Sequence, residues 1–252
     1  MPSPLPLVLV VAVAAAGFCR AEPPLPAPVA DWTFDDEGPE VRDVAGGHHG
    51  TVHGAVSVVG RRGRALLFDR SRKDHVEVPY APDLELSSFT VAAAMKLTKP
   101  PTFSGVLGTR QGGRQLFDLK VNTDKVHGDI GDDTRWIETK VNFYKDDVGS
   151  DGQGGDLDLD RWYLVTYVID AGRQECRLYL DGDRKKTIRF RGTPVLMRPG
   201  ATLRIGDTGA GEFMDGVIDD LRIWREPLDD AQVRSLVRPA GDEAAAGRPV
   251  VN

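Results

Sequence analysis

Cysteine is almost missing from this 252-residue chain: Cys19 and Cys176 are the only two. Exported folds that are stapled by disulfides carry several paired cysteines, so no such framework holds this one. No spaced set of Cys and His is available for a structural zinc either. Cys176 alternates with Leu178 and Leu180, which predicts a buried small hydrophobe rather than a reactive thiol. Long apolar runs are lacking too. The run Leu5 to Phe18 has 14 residues, against about 20 needed to cross a bilayer. Positive charge is in deficit, with 32 Lys and Arg against 38 Asp and Glu, a net charge of -6. That balance argues against a nucleic-acid partner. There is no Gly-x-Ser-x-Gly elbow and no phosphate-cradling glycine loop followed by Lys and Ser or Thr. Before Pro227 no segment carries a helical period.

What is present is turn chemistry between short extended runs. The 28 glycines and 17 prolines separate fourteen β-type runs, from Val29 to Asp35 at one end to Gly216 to Trp224 at the other. This predicts an all-β fold of two stacked antiparallel sheets in one domain, residues 29–238. Leu228 to Val237 reads as a short helix, with Asp229 and Asp230 in its first turn where negative charge suits the helix dipole. Residues 1–21 read as a secretory signal cut after Ala21, and losing Arg20 would take the charge from -6 to -7. Residues 22–28 form a Pro-rich leader, expected to be extended and solvated, and 239–252 a disordered tail. The expected location is secreted, periplasmic or cell-surface, with no membrane span in the mature chain.

The segment Phe213 to Val233 holds a carboxylate where an aliphatic belongs. Strand alternation puts Val217, Asp219, Leu221 and Ile223 on one face and Ile218, Asp220, Arg222 and Trp224 on the other. A carboxylate on a buried face needs a cation or several N–H donors. Asp219 is therefore either a metal ligand or a hydrogen-bond hub.

This strand resembles the closing strand of the laminin-G-like, concanavalin A-like jelly rolls. Asp31-Trp-Thr-Phe-Asp-Asp36 is similar to their opening strand, and Val41-Arg-Asp-Val-Ala-Gly-Gly-His-His-Gly-Thr51 to the turn that follows. Arg64 to Asp69, Asp74 to Pro79, Ser88 to Val91, Arg161 to Tyr167 and Arg177 to Gly182 fall in the same order. Ala92 to Met95 and Tyr163-Leu164 depart from the pattern, where a tryptophan and a histidine are usual. The resemblance implies a two-sheet jelly roll with a short C-terminal helix and adjacent first and last strands. It also implies a structural calcium bridging the chain ends. Asp219, Asp43, Asp35 and the turn containing His49 are its candidate ligands, since hard cations take six to eight oxygens. The alternative is that Asp219 caps a turn without metal.

The acidic, glycine-rich stretch Tyr144 to Asp160 holds Asp156-Leu-Asp-Leu-Asp160, superficially similar to the Glu-x-Asp-x-x-Glu strand of glucanases with this fold. Asp156 and Asp160 on an extended strand stand about 13 Å apart, too far for either hydrolytic geometry. Asp156 and Asp158, at about 6.6 Å, satisfy the distance only, and both glutamates of the motif are replaced by shorter aspartates. A non-catalytic reading places glycan contacts on Trp136, Tyr144, Asp156 and Asp158, where aromatic rings offer flat apolar faces and the acids accept from hydroxyls. The expectation is an exported module that binds a glycan or an extracellular protein. A glycoside hydrolase of the same fold and a structural adhesion protein are the alternatives.

Overall fold

The computed structural model describes residues 24–122, 125–143 and 157–237. The expected signal segment and tail lie outside them. In chain order the strands are β1 (Ala30–Trp32), β2 (Glu40–Val41), β3 (Gly50–His53), β4 (Val56–Val59), β5 (Arg64–Phe68), β6 (His75–Val78), β7 (Phe89–Leu97) and β8 (Phe103–Gly108). Then follow β9 (Gln115–Asn122), β10 (Lys125–Asp133), β11 (Trp136–Phe143), β12 (Trp162–Asp170), β13 (Glu175–Leu180), β14 (Asp183–Arg189), β15 (Leu203–Ile205) and β16 (Gly216–Trp224), with one helix, α1 (Asp230–Ser235).

Two eight-stranded antiparallel sheets result. Sheet A runs β14-β13-β12-β7-β16-β5-β4, with β1 added alongside β16, and sheet B runs β11-β10-β9-β8-β15-β6-β3-β2. The first strand lies directly on the last, with Asp31 opposite Arg222 and Trp32 opposite Leu221. Between the sheets Trp32, Phe34, Phe68, Phe89, Phe117, Tyr167 and their aliphatic neighbours form one continuous core. Cys176 is part of it, and burial pushes its thiol up to about 12, so it packs as a small hydrophobe.

Sheet A also buries much of its outer face. Ala92, Leu164, Val168, Tyr179 and Trp224 form a second apolar cluster with Leu228, Val233 and Leu236 of the helical segment. Asp229 caps that helix in a reciprocal capping box with Gln232, which satisfies its first N–H groups. The leader is not simply solvated, because the Pro26 carbonyl accepts from Trp224 Nε1 at 3.0 Å. Trp162, the first residue of β12, sits half-buried, with the Lys96 ammonium 5.2 Å from its ring centroid. The next residue, Tyr163, takes the inward place instead.

β16 corrects one expected alternation. Its pairing with β7 slips between Asp219 and Arg222, and Asp220 takes the left-handed φ of 47°. This is a bulge, in which one extra residue reverses the facing of everything beyond it. Asp219 is paired with Ala94 and so does not share the inward face of Leu221 and Ile223.

Candidate ligand-binding site

Asp219 and Asp35 both end on the β4–β5 hairpin. The Arg62 N–H donates to Asp219 Oδ2 at 3.0 Å, and the Arg64 N–H donates to Asp35 Oδ1 at 2.9 Å. Gly60 permits the approach, since a Cβ there would meet Asp219 Oδ2 at 2.6 Å. Asp219 is fully buried, and its Oδ1 has no partner among the described residues. Burial drives its pKa up to about 7, more than the N–H groups of Arg62 and Arg61 offset.

Asp43 organises a different turn. Its Oδ1 accepts from the N–H groups of Asp31 at 2.7 Å and Ala45 at 2.9 Å. Its Oδ2 accepts from those of Gly46 at 3.0 Å and His48 at 2.9 Å. His48 Nδ1 adds a fifth contact at 2.7 Å, and its Nε2 lies 3.0 Å from Asp83 Oδ1. Burial pulls Asp43 upward, but these donors hold it below the usual carboxylate range. His48 is held above its ordinary value: burial lowers it, and Asp83 and Asp43 outweigh that. His49 Nδ1 accepts the Asp43 N–H at 3.1 Å. The His48 carbonyl accepts from Trp32 Nε1 at 2.7 Å.

The four expected calcium ligands are therefore not assembled as a set. Five donors occupy the lone pairs of Asp43. The group of side-chain ligands that does come together among the described residues contains none of Asp35, Asp43, His49 or Asp219. The donor set fits a pair of hydrogen-bonded turn hubs rather than a shared hard cation. Of the other candidates, Tyr144 and Asp156 lie outside the described residues. Asp158 accepts from the Tyr163 hydroxyl at 2.8 Å and from Arg161 Nη1 at 3.3 Å, and it stands apart from the cleft that Trp136 lines.

Trp136 does line a cavity. It opens β11, opposite Gly131 of β10, and with Arg110, Arg114, Gln115, Gly112, Gly113, Gly209 and Ala210 it encloses about 430 Å³. Small-ligand sites span about 300–1,000 Å³. The Arg110 guanidinium carbon is 4.9 Å from the Trp136 ring centroid, a cation–π contact that fixes the ring. Gly209, at φ 84°, closes the rim where a Cβ would press on the Arg110 N–H nitrogen at 2.9 Å. Arg114 is committed to Asp133 through two bonds of 2.6 and 2.5 Å. Gln115 lines the same cleft, and its amide carries both a donor and an acceptor.

Behind Arg110 lies a buried charge network that the sequence did not announce. Asp118 stands opposite Asp129 across β9 and β10. Lys120 Nζ reaches Asp118 Oδ2 at 3.2 Å, Asp129 Oδ2 at 3.1 Å and Glu212 Oε2 at 3.3 Å. Arg110 Nη1 bonds Asp118 Oδ2 at 2.7 Å and Glu212 Oε2 at 3.1 Å, and His127 Nε2 meets Asp129 Oδ1 at 2.8 Å. Burial, reinforced by the Asp129 charge, pushes Asp118 up to about 7. Asp129 is buried as well, yet His127 and Lys120 keep it below the ordinary value. Lys120 is raised, because three carboxylates outweigh its own burial. The network locks Arg110, and Arg110 in turn positions Trp136.

A second cleft of about 530 Å³ opens on the other side of β11, between Ile137, Phe190, Glu138, Gln174 and three arginines, Arg173, Arg189 and Arg191. It lacks an exposed aromatic platform.

A family model described as the concanavalin A-like lectin/glucanases superfamily, Laminin_G_3, matches residues 70–234. Among solved structures the chain is similar to domain 4 of AbnA, an extracellular GH43 arabinanase from Geobacillus stearothermophilus solved with arabinotriose. The TM-score is 0.62 at 16% identity, over 85% of this chain and 100% of that one. It is also similar to the botulinum neurotoxin serotype G binding domain, with a TM-score of 0.62 and 10% identity over 83% of this chain and 50% of that one. A third is the Trypanosoma rangeli sialidase solved with the inhibitor DANA, with a TM-score of 0.57 and 20% identity over 85% of this chain and 33% of that one. The chain thus spans the whole arabinanase domain but half or less of the other two. No curated protein matches.

Proposed function

We propose, for a chain that belongs to the concanavalin A-like lectin/glucanases superfamily through residues 70–234, that it is an exported, non-catalytic module binding a glycan in the Trp136 cleft. The observation that carries this reading is a half-buried tryptophan held by a locked arginine at the mouth of a 430 Å³ cavity. A sugar ring stacks its C–H face on such an indole, and the Gln115 amide together with the backbone at Gly112 and Gly113 serves its hydroxyls. The arabinotriose bound by the similar arabinanase domain supports a neutral oligosaccharide as the ligand class. Export rests on the apolar run Leu5 to Phe18.

A hydrolase reading has one specific observation in its favour. Asp118 and Asp129 face each other with pKa values driven apart, the pattern of an acid paired with a base. Burial weighs against it. Asp118 is fully buried, Asp129 is 5% exposed, and both are bonded to Lys120, so no glycosidic oxygen reaches them.

The test is a glycan array and polysaccharide panel read for retention and for released reducing ends. Retention by the wild type without turnover, falling at least about tenfold in Trp136→Ala, is expected from the loss of one stacked ring. Released sugar that Asp118→Asn abolishes would move the assignment to the hydrolase. Capture of a protein partner with no glycan retained would move it to an adhesion protein.

A further inference from the structure

β3 and β6 run antiparallel with His53 opposite His75 and Thr51 opposite Glu77. Val76 and Val78 are buried, so His75 and Glu77, two apart on β6, project from the outer face of sheet B together with His53. The two imidazoles stack, with centroids 4.6 Å apart and planes 16° from parallel. One ligand atom from each of His53, His75 and Glu77 lies within 4.8 Å of the other two.

The hydrogen bonds set the protonation pattern. His75 Nδ1 is 2.9 Å from the Lys73 carbonyl oxygen, which can only accept. The neutral ring therefore carries its proton on Nδ1 and leaves the Nε2 lone pair outward, the arrangement by which ligating histidines are oriented. The Lys73 carbonyl is itself held in place, because that residue closes a tight turn at φ 60° with its N–H on the Arg70 carbonyl at 3.0 Å. Glu77 spends Oε2 on Arg204 at 3.1 Å, which leaves Oε1 for a ligand.

We infer that His53, His75 and Glu77 bind one divalent transition-metal ion of the zinc type. Two imidazoles and a carboxylate suit such an ion and leave its fourth position open to water, whereas calcium takes oxygen ligands. Bonds of about 2.0–2.2 Å at tetrahedral angles put the donors about 3.3 Å apart. Binding requires the donors to close from the present spacing and the rings to tilt out of their stack so that their in-plane lone pairs converge. The site stands apart from the Trp136 cleft and does not depend on glycan binding.

Isothermal titration of untagged, metal-free protein with zinc chloride tests it. The expected result is one equivalent bound per chain, not displaced by excess calcium, and weakened at least about tenfold in His53→Ala and in His75→Ala. Imidazole NMR of the wild type answers without a variant, through zinc-dependent shifts confined to His53 and His75. Absence of saturable zinc uptake, uptake undiminished in His53→Ala and His75→Ala, or shifts at His48, His49 or His127 instead would overturn the assignment.

Discussion

Replacing Asp219 by asparagine should stabilise this protein at alkaline pH and not at acid pH. Asp219 is fully buried, and its pKa is pushed from 3.8 to about 7, chiefly by burial. A carboxyl raised in the folded state binds its proton more tightly there than in the unfolded chain. The resulting stabilisation is complete below about pH 4 and is lost as the pH rises through about 7. Three pKa units at about 1.4 kcal/mol each give an ionisation penalty of about 4 kcal/mol at pH 8. Asparagine avoids that penalty, but its amide brings two N–H donors where the neutral acid has one O–H, at a position with no acceptor among the described residues, which costs about 1 kcal/mol. The net gain at pH 8 is about 3 kcal/mol, or roughly 6–12 °C in melting temperature for a domain of this size. Near pH 4 the variant should be about 1 kcal/mol less stable, so the two stability curves cross. Thermal melts from pH 4 to 8, run with chelator and with calcium, measure this directly. A bound calcium would keep Asp219 ionised and add stability by mass action. Asp219→Asn less stable than wild type at pH 8, or a gap independent of pH, would refute the account of Asp219 as a buried neutral acid.

Two further outcomes follow from the same electrostatics. Lys120→Met leaves Asp118, Asp129 and Glu212 without their shared ammonium and should cost about 3–5 kcal/mol in urea unfolding; a loss below about 1 kcal/mol would mean that the network is solvated. The His48 ring, held between Asp43 and Asp83, should titrate above 6.5 by NMR, its contribution to stability present below that pH and fading as the pH rises through the shifted value. An inflection at or below 6.5 would show that burial outweighs the two carboxylates.

The sandwich was legible because burial on one face imposes a period of two, and the adjacency of first and last strands was implied by the resemblance to the jelly rolls. Where the reading failed, the cause was pairing rather than composition. Thr51 to Val59 reads as one extended run, yet the chain leaves sheet B at His53 and enters sheet A at Val56. Gly54, at φ 79°, was the available signal. The bulge in β16 is a two-against-one count that no single strand displays, and its trace in the sequence is an Asp-Asp pair tolerant of left-handed backbone. The same holds for the buried network. Asp118 and Lys120, then His127 and Asp129, alternate with apolar residues as on any solvated face. Only the register of β9 with β10 and the arrival of Glu212 from a distant loop convert them into a cluster.

That division explains where function is displayed. Sheet A spends its outer face on stability: Trp224, Tyr179 and Leu164 are covered by Leu228, Val233 and Leu236. Sheet B has no such cover among the described residues, so its outer face carries polar side chains, and those nearest Glu212 are sealed into an ion network. A buried network of this kind is weak evidence for stability, since apolar replacements are often neutral or better. Its consequence here is geometric. Arg110 cannot leave Asp118 and Glu212 without exposing unpaired charge, so the Trp136 ring above it is held in one orientation before any ligand arrives. Under the proposed glycan-binding reading, pre-organisation of that kind lowers the entropic cost of binding.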